Sequence, residues 1–383
     1  MRKLIPCFFI FISVFLIYKF IYPNPRNWYD HYRYLAGSFL AGRLDVPNLP
    51  TFYQDSFKYQ GKKYLPFPPI PALVLVPIIA VGKSVTQQQV SIIIGAINAV
   101  LVFLLLKKFT NPKRAFLLSI FFASGTVAFW SAIVGTTWYF AHNTALMFFL
   151  LSLIVFKDKK YALSGFLFSL AVLSRLPIFA GIIFYLLELK KDKINLLKFL
   201  STAIICIPIV FFYNWLRFGG IFHSGYVEIY KSYLGMGYPV SFFQVIFPNF
   251  PNFGYFDVRN IPLHIFTFLF LPPLIKGGVL LPSPYGMGIL FTTPLLLVAM
   301  LPPFKKGLEK NLFRGFIAIA FLDFLHYAQG WVQFGYRFLL DFLPFLLIIL
   351  AIRFKPKKLY LLLFGISIAV NFWGVHWAIK LGW

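Results

Sequence analysis

Long apolar runs separated by short lysine- and arginine-rich turns recur along almost the whole chain. A helix needs about 20 mostly apolar residues to cross a bilayer, and it must satisfy its backbone N–H and C=O groups internally. Only 12% of the 383 residues are charged, whereas soluble domains carry about 25%. The pattern predicts an all-α polytopic membrane protein that forms one transmembrane domain over residues 1–383, without a separate soluble domain.

The basic residues give the chain a net charge of +25. They occur in short clusters between apolar runs, which fits the positive-inside rule and contact with anionic lipid headgroups better than a nucleic-acid surface. Alternation of these clusters predicts about eleven spans, with the N-terminus in the cytoplasm and the C-terminus outside. The predicted spans are 4–21, 90–106, 115–133, 143–156, 161–173, 178–189, 196–213, 286–301, 316–327, 338–352 and 359–377.

Two apolar stretches do not fit a simple span. Residues 70–81 are short and interrupted by prolines, and crossing there would place the basic cluster at 107–114 outside, so we interpret them as a re-entrant or interfacial segment. Residues 261–275 lie between prolines and receive the same interpretation, with a membrane span as the alternative. The boundaries around 68–83 and 261–276 therefore stay open.

The N-terminal run resembles a signal peptide but has no small-residue cleavage site, so we expect a retained signal anchor. The external regions 22–69 and 214–285 are then expected to form a site on the extracytoplasmic face of the plasma membrane. Cys7 and Cys206 lie within apolar runs and have no metal-ligand spacing.

The first external region holds three of the eleven acidic residues. Asp30 follows the first span beside aromatic residues, where it is either a general base or metal ligand, or a helix cap or loop acid. Asp55 is either a site carboxylate or a loop acid. Asp30 and Asp55 are our catalytic candidates. Asp45 precedes Val46-Pro47 at an expected helix exit, which favours a structural role.

Arginines on the same side are candidates for binding phosphate, because a planar guanidinium makes bidentate contacts with it. Arg175 interrupts the apolar sequence LAVLSRLPIFAG between two short spans, so we expect it in a cavity; a structural carbonyl cage is the alternative. Arg337 and Asp341 are four residues apart and would pair with each other if both were helical.

Five further residues complete the predicted site. Lys62 and Lys63 are either ordinary loop lysines or a phosphate-binding edge, and Tyr64 is an aromatic residue that stacks on sugars or belongs to the interfacial belt. His142, at the outer end of a span, is either a substrate ligand or a packing residue. Tyr336 adjoins Arg337 in the last external turn.

The order of several motifs along the chain resembles the GT-C superfamily of integral-membrane glycosyltransferases, including the mannosyltransferases and aminoarabinose transferases. The motifs are Trp28-Tyr29-Asp30, YLAGSFLAGRLDV, Tyr53-Gln54-Asp55, GKKYLPFPPIPALVLVP, the LSRLP turn, YNWLRFGGIFHSGY, SPYGMGILFTTPLLL and FGYRFLLDFLPFL. The resemblance covers almost the whole chain. The chain departs from it in having no adjacent acidic pair after the first span and no C-terminal soluble domain.

This resemblance implies an inverting transfer of a sugar from a dolichyl- or undecaprenyl-phosphate donor to an acceptor hydroxyl on a lipid, glycan or protein. It implies that an acid of the first external loop, Asp30 here, acts as base or metal-linked activator, and that Arg175 and Arg337 hold the lipid phosphate. A divalent metal is a possible cofactor. The alternatives are a polyprenyl-lipid or solute transporter or flippase, and a noncatalytic scaffold. The chain has no nucleotide-binding, HExxH, CxxC or GxSxG motif, which argues against an ATP-driven pump, a zincin and a serine hydrolase.

Overall fold

The fold is described from a computed structural model that covers residues 5–22, 29–50, 53–82, 85–235, 255–304 and 307–383, without the side chains of 230 and 232–235. Trp28 and the stretch 236–254 of the second external region lie outside these ranges.

Helices dominate the described chain, as predicted. The first half contains α1 (Ile5–Ile21), α2 (His31–Leu40), β1 (Phe57–Tyr59), β2 (Lys62–Tyr64), α3 (Ile70–Ala80), α4 (Gln87–Leu106), α5 (Pro112–Gly125), α6 (Ala128–Val134), α7 (Thr137–Lys157) and α8 (Tyr161–Val172). A 3-10 helix (Leu176–Gly181) leads into α9 (Ile182–Leu189), α10 (Lys193–Ala203), α11 (Cys206–Phe218) and α12 (Tyr226–Gly235). The remainder comprises a 3-10 turn (Val258–Asn260), α13 (Ile261–Leu269), β3 (Leu274–Lys276), β4 (Val279–Leu281), α14 (Ile289–Thr292), a 3-10 turn (Pro294–Leu296), α15 (Leu297–Met300), α16 (Gly307–Phe324), α17 (Leu339–Arg353) and α18 (Lys358–Lys380).

Within the described ranges, four helical segments are long and apolar enough to cross a membrane: Gln87–Leu106, Thr137–Lys157, Lys193–Phe218 and Lys358–Lys380. A fifth results if α5 and α6, which are bent by 56° at their junction, count as one span. The predicted number of about eleven is therefore not confirmed. Several predicted spans are shorter apolar helices, such as Tyr161–Val172, and the run 286–301 is broken into short pieces where Pro294 cannot continue α14.

The centre of the bundle is α4, which starts from a capping box formed by Thr86 and Gln89. Gly95 on this helix lets its neighbours approach closely, because a Cβ there would lie 2.5 Å from that of Ala132 and 3.0 Å from the ring of Tyr18. The Tyr18 hydroxyl donates to the carbonyl of Ala123 at 2.7 Å. This contact ties α1 to α5 beside α4.

Two antiparallel hairpins depart from the all-helical prediction. In the first, Phe57 pairs with Tyr64, and both rings are buried with Phe218 and Ile229 in a separate apolar cluster. The second consists of β3 and β4. Their strands have only three residues each, so neither provides enough alternation to be recognised in the sequence.

Candidate active-site cavity

A cavity of about 570 Å³ lies where the region 29–68 meets the ends of several helices. Its walls come from the loop around Asp55, the start of α7, the turn at Arg175 and the segment between α16 and α17. The charged and imidazole side chains in its lining are Asp55, Arg175, Asp323, His326 and Arg337; the aromatic ones are Tyr29, Tyr32, Phe67, Trp138, Tyr139, Tyr226, Tyr255, Phe256, Tyr327, Trp331, Phe338 and Trp383. Its volume is within the range of small-molecule sites, about 300–1,000 Å³.

Asp55 is fixed at the cavity by its backbone and by an indole. Its φ of 55° puts it in the left-handed region, which aspartate tolerates better than most residues. The Trp138 Nε1–H donates to Asp55 Oδ2 at 2.8 Å. Trp138 lies in the first turn of α7, whose Thr137 backbone N–H donates to the Tyr29 carbonyl at 3.1 Å. The loop and the helix start are therefore held together at the carboxylate.

Arg337 also lines the cavity, near the same indole. Its guanidinium carbon lies 6.0 Å from the ring centroid of Trp138 and 5.4 Å from that of Phe338. Its Nε is buried and has no hydrogen-bond partner among the described residues. Burial lowers the pKa of Arg337, Arg175 lowers it further, and Tyr139 and Asp55 oppose the shift. The cavity thus contains a guanidinium with unused donor capacity.

Arg175 is already engaged with carboxylates. Its Nε and Nη2 donate to Asp341 Oδ2 at 3.0 and 2.8 Å, and Nη2 lies 3.4 Å from Asp323 Oδ1. His142 Nδ1 is 2.7 Å from the other oxygen of Asp341. The alternative in which Arg337 pairs with Asp341 is not seen among the described contacts: Asp341 is bonded to Arg175 and His142, and Arg337 precedes α17, which begins at Leu339.

Asp323 and His326 were not among the sequence-based candidates. Asp323 is 2% exposed and its Oδ2 has no hydrogen-bond partner among the described residues. An acid inside an otherwise apolar run is a signal that could have identified it. His326 is held by contacts between Nδ1 and the Ala328 backbone, and burial is the main cause that lowers its pKa to about 4. At neutral pH it therefore presents an uncharged imidazole.

Asp30 does not line the cavity. It is the N-cap residue of α2, and its Oδ1 accepts the Gln87 backbone N–H at 3.1 Å. Its own N–H donates to the Tyr53 hydroxyl at 2.6 Å, and Arg33 lies 3.7 Å from Oδ2. Burial raises the pKa of Asp30, against the opposing effects of Gln87 and Arg33. These contacts join α2 to the start of α4.

The other predicted ligands also lie away from the cavity lining. Lys62, Lys63 and Tyr64 form β2, where Lys63 Nζ donates to the Leu49 carbonyl at 3.0 Å. His142 is buried against Asp341, and the Tyr336 hydroxyl lies 2.7 Å from His264 Nδ1. Of the nine predicted site residues, the structure brings together Asp55, Arg175 and Arg337.

The residues present do not fit a resident metal ion. No group of three or more His, Cys, Asp or Glu side chains within the described ranges is arranged to hold one. Asp55 Oδ2 accepts from an indole N–H, and the nearest partners of Asp341 are a guanidinium and an imidazole. No step below is therefore assigned to a metal.

No family model and no curated protein matches the chain. Two solved structures of the Archaeoglobus fulgidus oligosaccharyltransferase are similar: the apo form (13% identity, TM-score 0.48, covering 96% of this chain and 55% of that one), and AglB in complex with an inhibitory peptide and a dolichol-phosphate (16%, 0.44, 97% and 55%). The chain thus spans about half the length of these proteins. Both TM-scores lie below 0.5.

Proposed function

We propose that the chain is a membrane glycosyltransferase, which transfers a sugar with inversion from a polyprenyl-phosphate donor to an acceptor hydroxyl. One observation carries the proposal: the Asp55 carboxylate and the Arg337 guanidinium contact the same Trp138 indole on one cavity. A transfer of this kind needs a base for the acceptor and a cation for the departing phosphate. The motif order that resembles the GT-C superfamily supports the same reaction.

Arg337 is the group that we assign to the donor phosphate. A guanidinium makes charge-assisted hydrogen bonds to phosphate oxygens, and these strengthen as negative charge develops on the leaving group. Arg175 already donates to Asp341, so it forms a rigid wall of the cavity, and Arg337 makes the direct contacts.

Asp55 is the group that we assign to the acceptor. Its carboxylate takes the proton of the acceptor hydroxyl as the hydroxyl oxygen bonds to the anomeric carbon. The bond from that carbon to the phosphate oxygen breaks, and its electron pair stays on the polyprenyl phosphate. Attack from the face opposite the phosphate inverts the anomeric centre. Asp30 serves in this scheme as a structural residue, because its carboxylate accepts the Gln87 backbone N–H at the start of α4.

Aromatic side chains are suited to hold the sugar between these two groups. Trp138 and Tyr29 meet with ring centroids 5.0 Å apart, and Tyr255 and Tyr327 with centroids 5.2 Å apart. Flat rings of this kind pack on the apolar faces of sugar rings while their polar edges bond hydroxyls. The donor tail would lie along the apolar surface of the bundle, in the plasma membrane, with the cavity on its extracytoplasmic side.

The test is transfer of label from a radiolabelled undecaprenyl-phosphate sugar by the full chain in nanodiscs, with membrane lipids and glycans as acceptors. Asp55→Asn should reduce transfer at least about 100-fold, the usual contribution of a general base. Asp30→Asn is the matched control and should retain most of the rate. Undiminished transfer by Asp55→Asn would refute the assignment of the base. Movement of the labelled lipid between leaflets, without transfer to any acceptor, would favour a flippase.

A further inference from the structure

The second hairpin, β3 and β4, presents apolar side chains outward. Its strands are joined by Gly277 and Gly278, whose φ angles of +58° and +76° fit a two-residue type I′ turn. Ile275 lies directly opposite Leu280, so the two share a face; Ile275 is 78% exposed and Leu280 48%. An isolated two-stranded hairpin is marginally stable in water, which indicates that this face is covered.

The helix before the hairpin continues the same surface. On α13, His264, Thr267 and Phe268 are buried. The opposite face presents Ile265 and Phe266, and Phe270 follows at the helix end; all three are exposed. A helix face that meets water is normally polar. Here two different elements, a helix and a hairpin, both turn apolar side chains outward.

The first hairpin, β1 and β2, allows a comparison of outward side chains within the same chain. Its outward side chains are polar, including Lys58 and Lys62, while its Phe57 and Tyr64 are buried. The second hairpin has one charged residue, Lys276, next to its turn. The outward side chains of the first hairpin are therefore suited to water, and those of the second are suited to an apolar medium.

We propose that the segment 261–281 lies on the bilayer surface, with its apolar face against acyl chains of the leaflet on the cavity side and Lys276 at the lipid phosphates. Lipid is favoured over a protein partner, because the chain already has helices able to cross a membrane. Moreover, a lysine bordering an apolar face is the usual arrangement of interfacial segments.

The placement matters for the cavity because α13 is tied to its wall. His264 Nδ1 lies 2.7 Å from the Tyr336 hydroxyl, and His264 Nε2 lies 2.7 Å from the carbonyl of His326, which lines the cavity. The cavity wall would then stand at the level of the lipid headgroups. A phosphate attached to a lipid tail would reach it without leaving the membrane.

The experiment places a bimane fluorophore on single cysteines in a Cys7→Ser, Cys206→Ala background, with the full chain in nanodiscs of phosphatidylcholine and phosphatidylglycerol. Ile275→Cys is the test position, and Lys58→Cys, the central residue of β1, is the matched control. Quenching is measured with aqueous iodide and with doxyl-labelled lipids.

At position 275 we expect quenching by doxyl lipid and an iodide quenching constant at least about fivefold smaller than at position 58. Equal iodide quenching at both positions would overturn the proposal. Protection of position 275 from both quenchers would also overturn it, because that result indicates a protein partner, and cysteine crosslinking between two copies would identify a dimer. The readout does not require activity, so it is independent of the proposed glycosyl transfer.

Discussion

The substitution Arg337→Met should show whether Arg337 binds the ligand or stabilises the fold. Methionine keeps an apolar stem against Trp138, Tyr139 and Phe338, whose ring centroids lie 5.4–6.0 Å from the guanidinium carbon. It also removes a buried Nε–H that has no partner among the described residues, which by itself costs about 1–3 kcal/mol. The lost cation–π contacts oppose this gain by about 2 kcal/mol, the value for a desolvated cation. The free energy of unfolding should therefore stay within about 1 kcal/mol of the wild type.

Binding of a lipid phosphate should change far more. Two charge-assisted hydrogen bonds at about 1.5 kcal/mol each give about 3 kcal/mol, or about a 100-fold increase in Kd. Undecaprenyl phosphate at about 100 times the wild-type Kd should stabilise the wild type by about 2.7 kcal/mol. Arg337→Met should gain only about 0.4 kcal/mol under the same conditions. The assay is thermal unfolding in detergent micelles with and without undecaprenyl phosphate.

Two other arginines give matched controls. Arg217 is 5% exposed and donates to the carbonyls of Tyr213 and Leu65 and to Asn214 Oδ1. Arg217→Gln should destabilise the chain by about 1–3 kcal/mol and leave the ligand-induced shift intact. Arg175→Gln removes the cation that pairs with the buried Asp341. This should lower the free energy of unfolding by about 3–5 kcal/mol. Arg337 is not the phosphate-binding group if Arg337→Met is as destabilising as Arg175→Gln, or if the variant retains the full stabilisation by undecaprenyl phosphate.

Three further substitutions test other contacts. Asp30→Ala removes the acceptor for Gln87 N–H at the start of α4, so unfolding in urea should show a loss of about 1 kcal/mol, and a large loss of transfer by the folded variant would contradict a purely structural role. Trp138→Phe keeps a ring but removes the hydrogen bond to Asp55; labelled-sugar transfer should fall about tenfold at saturating donor, and an unchanged rate would show that this bond is dispensable. His326 has its pKa lowered from 6.5 to about 4, chiefly by burial, so the unfolded state binds a proton more readily and stability falls as pH falls from 6.5 towards 4. His326→Gln should make the dependence of the unfolding midpoint on pH shallower in that window, and an unaltered slope would refute the assignment.

Much of the helical framework could be predicted because apolar runs and basic turns are local properties of the sequence. The predicted run 359–377 lies inside Lys358–Lys380, and 161–173 nearly coincides with Tyr161–Val172. The bend between α5 and α6 and the two hairpins could not be predicted, because each depends on a few residues packed against distant parts of the chain.

The candidate site could also be predicted only in part. Asp55, Arg175 and Arg337 are charged residues in regions predicted to lie on one side of the membrane. They could therefore be predicted as site candidates. What could not be predicted was that Asp341 pairs with Arg175, which lies 166 residues away. Asp30 drew attention as the first acid after a span, but its carboxylate accepts the backbone N–H of Gln87 at the start of α4, a contact between residues 57 positions apart.

The indole of Trp138 also couples the position of the carboxylate to that of the guanidinium. Trp138 binds Asp55 through its Nε1–H and faces Arg337 with its ring. A shift of this one ring would therefore change the surroundings of both groups at once. Replacing it with a small residue should loosen Asp55 and Arg337 together.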